Sequence, residues 1–126
     1  MEKKYVVKNC ENKRILKKFN NSNIILTYMI SMHVIKSGSE ILLAACDKKL
    51  LGKNLKDGEL KLHIKKDFYY EVFVDSRTFV NALKMATIAN LVGEEVVSIA
   101  IEEGYVNKEN VIHLKDVPYA QFVKMI

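Results

Sequence analysis

The sequence predicts an α+β domain: a mostly antiparallel sheet with two consecutive helices packed on it. Three observations carry that expectation. Short apolar runs separated by glycine, aspartate and serine fill residues 32–74, helical spacing takes over between Asp75 and Gly104, and two short strand-like runs close the chain around Pro118, its single proline.

Met32 to Lys36 reads as a first strand, Ser37-Gly38 as a turn and Ser39 to Cys46 as a second strand, so residues 32–46 are expected to form a hairpin. Asp47 opens a turn or short helix, KKLLG, that Gly52 closes, and an aspartate at such a junction accepts backbone N–H groups. After the turn Lys56-Asp57-Gly58, ELKLHIK alternates, with Leu60, Leu62 and Ile64 inward and Lys61, His63 and Lys65 outward. A fourth strand is expected from Tyr70 to Val74, after a turn at Lys66-Asp67. Asp75 or Ser76 then caps a helix that presents Phe79, Ala82, Leu83 and Ala86 on one face and Arg77, Asn81 and Lys84 on the other. Asn90 to Gly93 is expected to interrupt or end it. GEEVVSIAIEE forms a second helix, with Glu94 and Glu95 in its first turn and Gly104 as its C-terminal signal. Val111 to Leu114 and Tyr119 to Met125 complete the strands.

The length of 126 residues suits one domain with a core of its own. Positive charge is unevenly placed. Residues 1–31 hold seven basic against two acidic side chains, and the remaining body is formally neutral, so the whole net charge of +5 belongs to the leader. Polar and without a sustained period, that leader is expected to be poorly ordered; alternatively Met32 is the true start and residues 1–31 an upstream misreading, leaving 32–126 as the single domain. The run Ile24 to Ile30 is too short to span a bilayer and makes a poor signal peptide, so no membrane association is expected. Cys10 and Cys46 lie in unlike surroundings, which points to free thiols in a reducing cytoplasm.

Within the body, residues 32–66 carry eight lysines against Glu40, Asp47, Asp57 and Glu59, whereas residues 67–126 carry five basic against nine acidic side chains. One half attracts phosphates and the other repels them. Lys48, Lys49, Lys53 and Lys56 surround one turn, Lys65 and Lys66 follow, and Phe68, Tyr69 and Tyr70 come next: cations for phosphates, with Tyr69 a candidate ring for an unstacked base. The partner expected from this pattern is RNA or a ribonucleoprotein, and the alternative is another protein bound through an apolar patch.

Four pieces of the chain, AACDKKLLGK at 44–53, FYYE at 68–71, ATIANLVGEEVVSIAIEEG at 86–104 and VPYAQ at 117–121, resemble the archaeal family called domain of unknown function 424, or DUF424. The resemblance begins near Met32 and covers the body without the leader. It implies a small archaeal cytosolic protein and no particular activity, and it singles out Cys46, Asp47, Gly52, Asn90, Gly93, Glu94, Pro118 and Gln121 as family positions. This chain departs from the family pattern at Tyr70 and Glu71, where glycines are usual, and at Tyr119, where a histidine is usual.

Catalysis has one weak candidate pair, Cys46 and Asp47. A nucleophilic thiol needs a cationic neighbour, a base or a helix start to lower its pKa, and an adjacent carboxylate does the reverse. A cysteine ending an apolar strand is ordinarily a small buried hydrophobe. His33, His63 and His113 are scattered singly rather than paired at ligand spacing, so they read as surface imidazoles and no metal site is expected. GxGxxG, P-loop and GxSxG signatures are missing, and no cofactor is expected. The sequence therefore favours a non-enzymatic binding module.

Overall fold

The computed structural model describes residues 29–124. Most of the expected leader and the expected strand end at Met125 lie outside the described residues.

The first hairpin forms as expected from β1 (Ile30–Ser37) and β2 (Glu40–Asp47), in a register that sets Ile30 opposite Asp47 and Ser37 opposite Glu40. Its two-residue loop is Gly38-Ser39, one position later than expected, and Gly38 takes the positive φ (+62°) that such loops demand. β1 also crosses the expected boundary at Met32. Ile30 is only 2% exposed and pairs with Val74, while the buried Ser31 Oγ donates to the Tyr69 carbonyl at 2.8 Å.

A turn of 3-10 helix at Lys48–Leu50 leads to a separate hairpin, β3 (Asn54–Asp57) with β4 (Leu60–His63). Its inward side is anchored by Leu55, Leu62 and the fully buried Ile64. Leu60 breaks the expected pattern. It stands opposite Asp57 at the hairpin tip, outside the apolar cluster, and is 53% exposed. The tip is held instead by the Lys115 N–H, which donates to Asp57 Oδ2 at 3.0 Å.

One helical turn, α1 (Lys66–Tyr69), replaces the expected turn at Lys66-Asp67, and the strand after it, β5 (Val72–Val74), starts two residues later than Tyr70. The helix α2 (Ser76–Met85) has the expected cap, with Asp75 Oδ1 accepting from the Thr78 N–H at 2.9 Å. Phe79, Leu83 and Ala86 are buried, and Arg77, Asn81 and Lys84 are exposed, as the helical spacing demands.

The expectation of two consecutive helices is corrected in one respect. Residues Ile88–Val92 are neither a helix end nor a break but a strand, β6, lying between α2 and α3 (Glu94–Glu102). β6 runs parallel to β2 and antiparallel to β8 (Val117–Val123), which in turn pairs with β7 (Ile112–Leu114). Ala89 and Leu91 are buried on the helix side and Val92 on the other, so apolar residues flank Asn90 without an alternating polar set, and Asn90, which opens to the second face, reads as a breaker.

The six-stranded sheet has the order β5-β1-β2-β6-β8-β7 and is antiparallel except at β2–β6. Alternation of side chains divides its residues between two apolar layers. On one face Ile30, Met32, Leu43, Ala45, Ala89, Leu91 and Ala120 pack with Phe79 and Leu83 of α2 and Val96, Val97 and Ala100 of α3. On the other, Ala44, Cys46 and Val92 pack with Leu50, Ile64 and Tyr69, so the β3–β4 hairpin and α1 form a second layer opposite the helices. No helix among the described residues is long and apolar enough to cross a membrane.

Candidate functional site

Cys46 and Asp47 end β2 on opposite faces, and that alternation separates their roles. Asp47 faces α3, where its Oδ2 accepts from the Glu95 N–H and its Oδ1 from the Val96 N–H, each at 3.1 Å. A residue remote in sequence thus caps a helix that Gly93 itself cannot cap with a side chain. Burial pushes the Asp47 carboxyl above its ordinary pKa, and the Glu95 and Val96 N–H groups pull it part of the way back. Glu94, exposed in the first turn of α3, adds the charge that the helix dipole favours. Pro118 completes the junction, its carbonyl accepting from the Gly93 N–H at 2.9 Å.

Cys46 points to the other layer and is wholly buried among Leu50, Ile64, Tyr69 and Val92. Burial first, and the Asp47 charge second, push its thiol up to about 12. A nucleophile needs an accessible thiolate, and this position offers a protonated, enclosed thiol. The weak catalytic candidacy of Cys46 and Asp47 finds no geometric support: both are parts of the core and its helix cap.

The lysines fare differently. Lys48, Lys49, Lys53, Lys56, Lys61, Lys65 and Lys66 are all exposed; the last five belong to the hairpin and α1 layer, and Lys48 and Lys49 to the 3-10 turn leading into it, where the Lys49 charge acts on Asp47. Lys56 stands directly opposite Lys61 on the outward side of the hairpin, with Asn54 and His63 as the next pair on that side. Lys48 Nζ lies 4.7 Å from the centroid of the Phe73 ring, and the Lys66 side chain runs across Gly52, with Cε 3.6 Å from where a Cβ would stand. Against these seven the layer sets Asp57, Glu59 and Asp67.

Tyr69 is a correction. Expected as a stacking platform, it is only 4% exposed, its ring meeting Phe68 edge to face at 5.0 Å and its hydroxyl pKa raised by burial. The helical turn of α1 directs it under the hairpin, and the Ser31 contact holds its carbonyl there.

Beside the lysines lies an open cleft of about 560 Å³, lined by His63, Lys65, Asp67, Phe68, Tyr69, Asn90, Tyr119 and Gln121. Its floor is the exposed part of the main sheet. Asn90 on β6 stands opposite Gln121 on β8, and Gln121 Nε2 donates to Asn90 Oδ1, with the Tyr119 hydroxyl 3.5 Å from the same oxygen. At the edge of the same sheet face His33 Nδ1 lies 3.1 Å from the Phe68 carbonyl. Residue chemistry points to Lys65, Phe68 and Tyr69 of this lining and the family resemblance to Asn90, Tyr119 and Gln121, but neither joins them into one cleft. Sequence signals for it are faint: an asparagine in an apolar run and a tyrosine–glutamine pair two residues apart in another.

Residues 34–125 match the family profile described as protein of unknown function (DUF424). The chain belongs to the DUF424 family. Among solved structures, an uncharacterized conserved protein from Methanopyrus kandleri is similar at 23% identity, with a TM-score of 0.60, over 77% of this chain and 95% of its own. At that identity the likeness concerns the fold. No curated protein matches the chain. Of the positions singled out by the DUF424 resemblance, Asp47, Gly93, Glu94 and Pro118 build the junction of β2, α3 and β8, Cys46 is sealed in the second apolar layer, Gly52 lies under the Lys66 side chain, and Asn90 and Gln121 face the cleft.

Proposed function

We propose that this DUF424 protein is a non-enzymatic RNA-binding module that meets its ligand through the hairpin and α1 layer. The observation that carries the reading is the gathering of five exposed lysines on the hairpin and α1 layer, next to an open cleft, with Lys48 and Lys49 on the turn that leads into it. Lysine ammonium groups neutralise phosphates as point charges, and releasing condensed counterions drives association. Single-stranded or looped RNA suits the site better than duplex, because a cleft floored by amides and flanked by Phe68 and Tyr119 accepts groups that a duplex keeps stacked. A cytoplasmic setting accords with a free, buried Cys46.

Titration of the full chain with a structured RNA at several salt concentrations tests this. The logarithm of the binding constant is expected to fall linearly with that of salt, with a slope of about −3 if four or more lysines each contact a phosphate. Paired Lys56→Ala and Lys61→Ala substitutions are expected to flatten that slope. Salt-independent affinity, or no binding at low salt, excludes phosphate contact as the driving force.

A further inference from the structure

We infer that the cleft receives one unpaired nucleobase of the bound RNA strand, with Asn90 and Gln121 reading its edge and Lys65 taking an adjoining phosphate; this rests on the RNA-binding reading above. The starting observation is a polar row across the middle of the sheet. His33, Asn90 and Gln121, with the small Ala44 between the first two, occupy one register line over β1, β2, β6 and β8, between the line of Ser31, Cys46, Val92 and Tyr119 and the aliphatic line of Ile35, Leu42, Ile88 and Val123. Asparagine is disfavoured in a central strand, and a covered sheet would place an apolar residue there. Sequences that break such a local rule do so most often at functional sites.

The geometry of the two amides narrows the ligand. The Gln121 Nε2 to Asn90 Oδ1 hydrogen bond ties the side chains together and uses one donor and one acceptor. Among the described residues, Asn90 Nδ2 and Gln121 Oε1 have no hydrogen-bond partner, so one donor and one acceptor remain open at the cleft floor. Nucleobases carry an acceptor next to an N–H on the Watson–Crick edge, but the order in adenine and cytosine is opposite to that in guanine and uracil, so amides held in one orientation discriminate between these two classes. Phe68 and Tyr119 supply ring surface beside that floor, Lys65 and His63 supply groups for phosphate at the rim, and a space of about 560 Å³ lies in the range of small-molecule clefts. Asp67, also at the rim, disfavours a second phosphate on its side.

The test compares four RNA octamers, each of a single base, for binding to the full chain and to its Gln121→Ala, Asn90→Asp and Lys65→Ala variants, with the four nucleoside 5′-monophosphates as a second arm. Gln121 is exposed, so its substitution leaves the core intact, and the isosteric Asn90→Asp removes the free donor without changing volume. The expected result is a preference of at least about tenfold for one class of base, adenine and cytosine or guanine and uracil, in the native protein, lost in Gln121→Ala and Asn90→Asp. Lys65→Ala should keep the ranking of bases while lowering the salt slope by about one. Equal affinity for all four octamers, or a ranking unchanged by Gln121→Ala, overturns the inference and leaves the RNA-binding reading standing. Tight binding of a monophosphate with no gain for the octamer overturns the strand as ligand. Failure of every octamer to bind at low salt overturns both.

Discussion

Asp47 and Gly93 meet so closely that a Cβ on residue 93 would stand 2.6 Å from Asp47 Oδ1, and Gly93 holds φ at +117°. The contact explains why a carboxylate at the end of β2 and a glycine before α3 belong together. Glycine lets the helix start approach the carboxylate, and the carboxylate satisfies the Glu95 and Val96 N–H groups left open by that start.

Gly93→Ala is therefore expected to destabilise the protein by about 3 kcal/mol or more, combining a backbone conformation that side chains rarely adopt with a clash against a buried group. Urea unfolding of the two proteins measures it. A loss below about 1 kcal/mol means that the carboxylate swings aside freely, and the cap is not the constraint described.

Asp47 also predicts a pH dependence. Its carboxyl is raised above the ordinary value in the folded chain, chiefly by burial, so the folded state holds this proton more tightly than the unfolded one. The stabilisation from protonation is complete below the ordinary carboxylate pKa of about 4 and is lost as pH rises through the raised value. Asp47→Asn cannot titrate. The stability advantage of the native protein over Asp47→Asn should accordingly shrink as pH rises through that window, and a difference that grows with pH contradicts the assigned direction.

The exposed cap at Asp75 offers a contrast. Asp75→Ala removes a single hydrogen bond, to the Thr78 N–H, and is expected to cost about 1 kcal/mol, whereas Asp47→Ala exposes two buried donors and should cost clearly more. Equal losses in matched urea titrations would contradict the burial argument.

Cys46 is expected to resist alkylation in the native protein and to react fully once urea unfolds it, because the thiol is enclosed and pushed up to about 12. A Cys10→Ser background leaves Cys46 as the single thiol read by mass. Rapid native labelling would revive the thiol as a chemical centre.

β1 supplies another prediction. A chain starting at Met32 loses the Ile30 side chain from the core and the Ser31 hydrogen bond to Tyr69. Against a chain starting at Met29, its urea stability is expected to fall by about 3 to 5 kcal/mol, the range for deleting a large buried aliphatic group plus one hydrogen bond. Equal stability would place the start of the folded domain at Met32 after all.

Much of the fold was legible where its cause is local. Ser37-Gly38-Ser39 between apolar runs is a hairpin signal, the spacing of Phe79, Leu83 and Ala86 is a helix face, and Asp75 is a cap three residues before its donor. The lysine-rich half was equally visible, since exposure of a charged side chain needs no partner to be foreseen. Tyr69 was misread because burial of an aromatic ring depends on what the sheet brings over it. β6 was misread because its apolar residues face both sides and show no polar alternation, and Asn90 resembled a break until β2 and β8 stood on either side.

Composition, period and turn chemistry alone settled the class of the fold, its first hairpin, its two longer helices and the uneven charge of its body, but not the strand Asn54–Asp57 that pairs with β4. The tertiary structure decided that Asp47 caps a helix 48 residues away, that Cys46 is sealed, and that Asn90 and Gln121 face each other in a cleft. The reason is range. Backbone propensity and amphipathic period act over a few neighbours, whereas strand order brings residues from distant segments within hydrogen-bond distance, and no local pattern records which ones will meet.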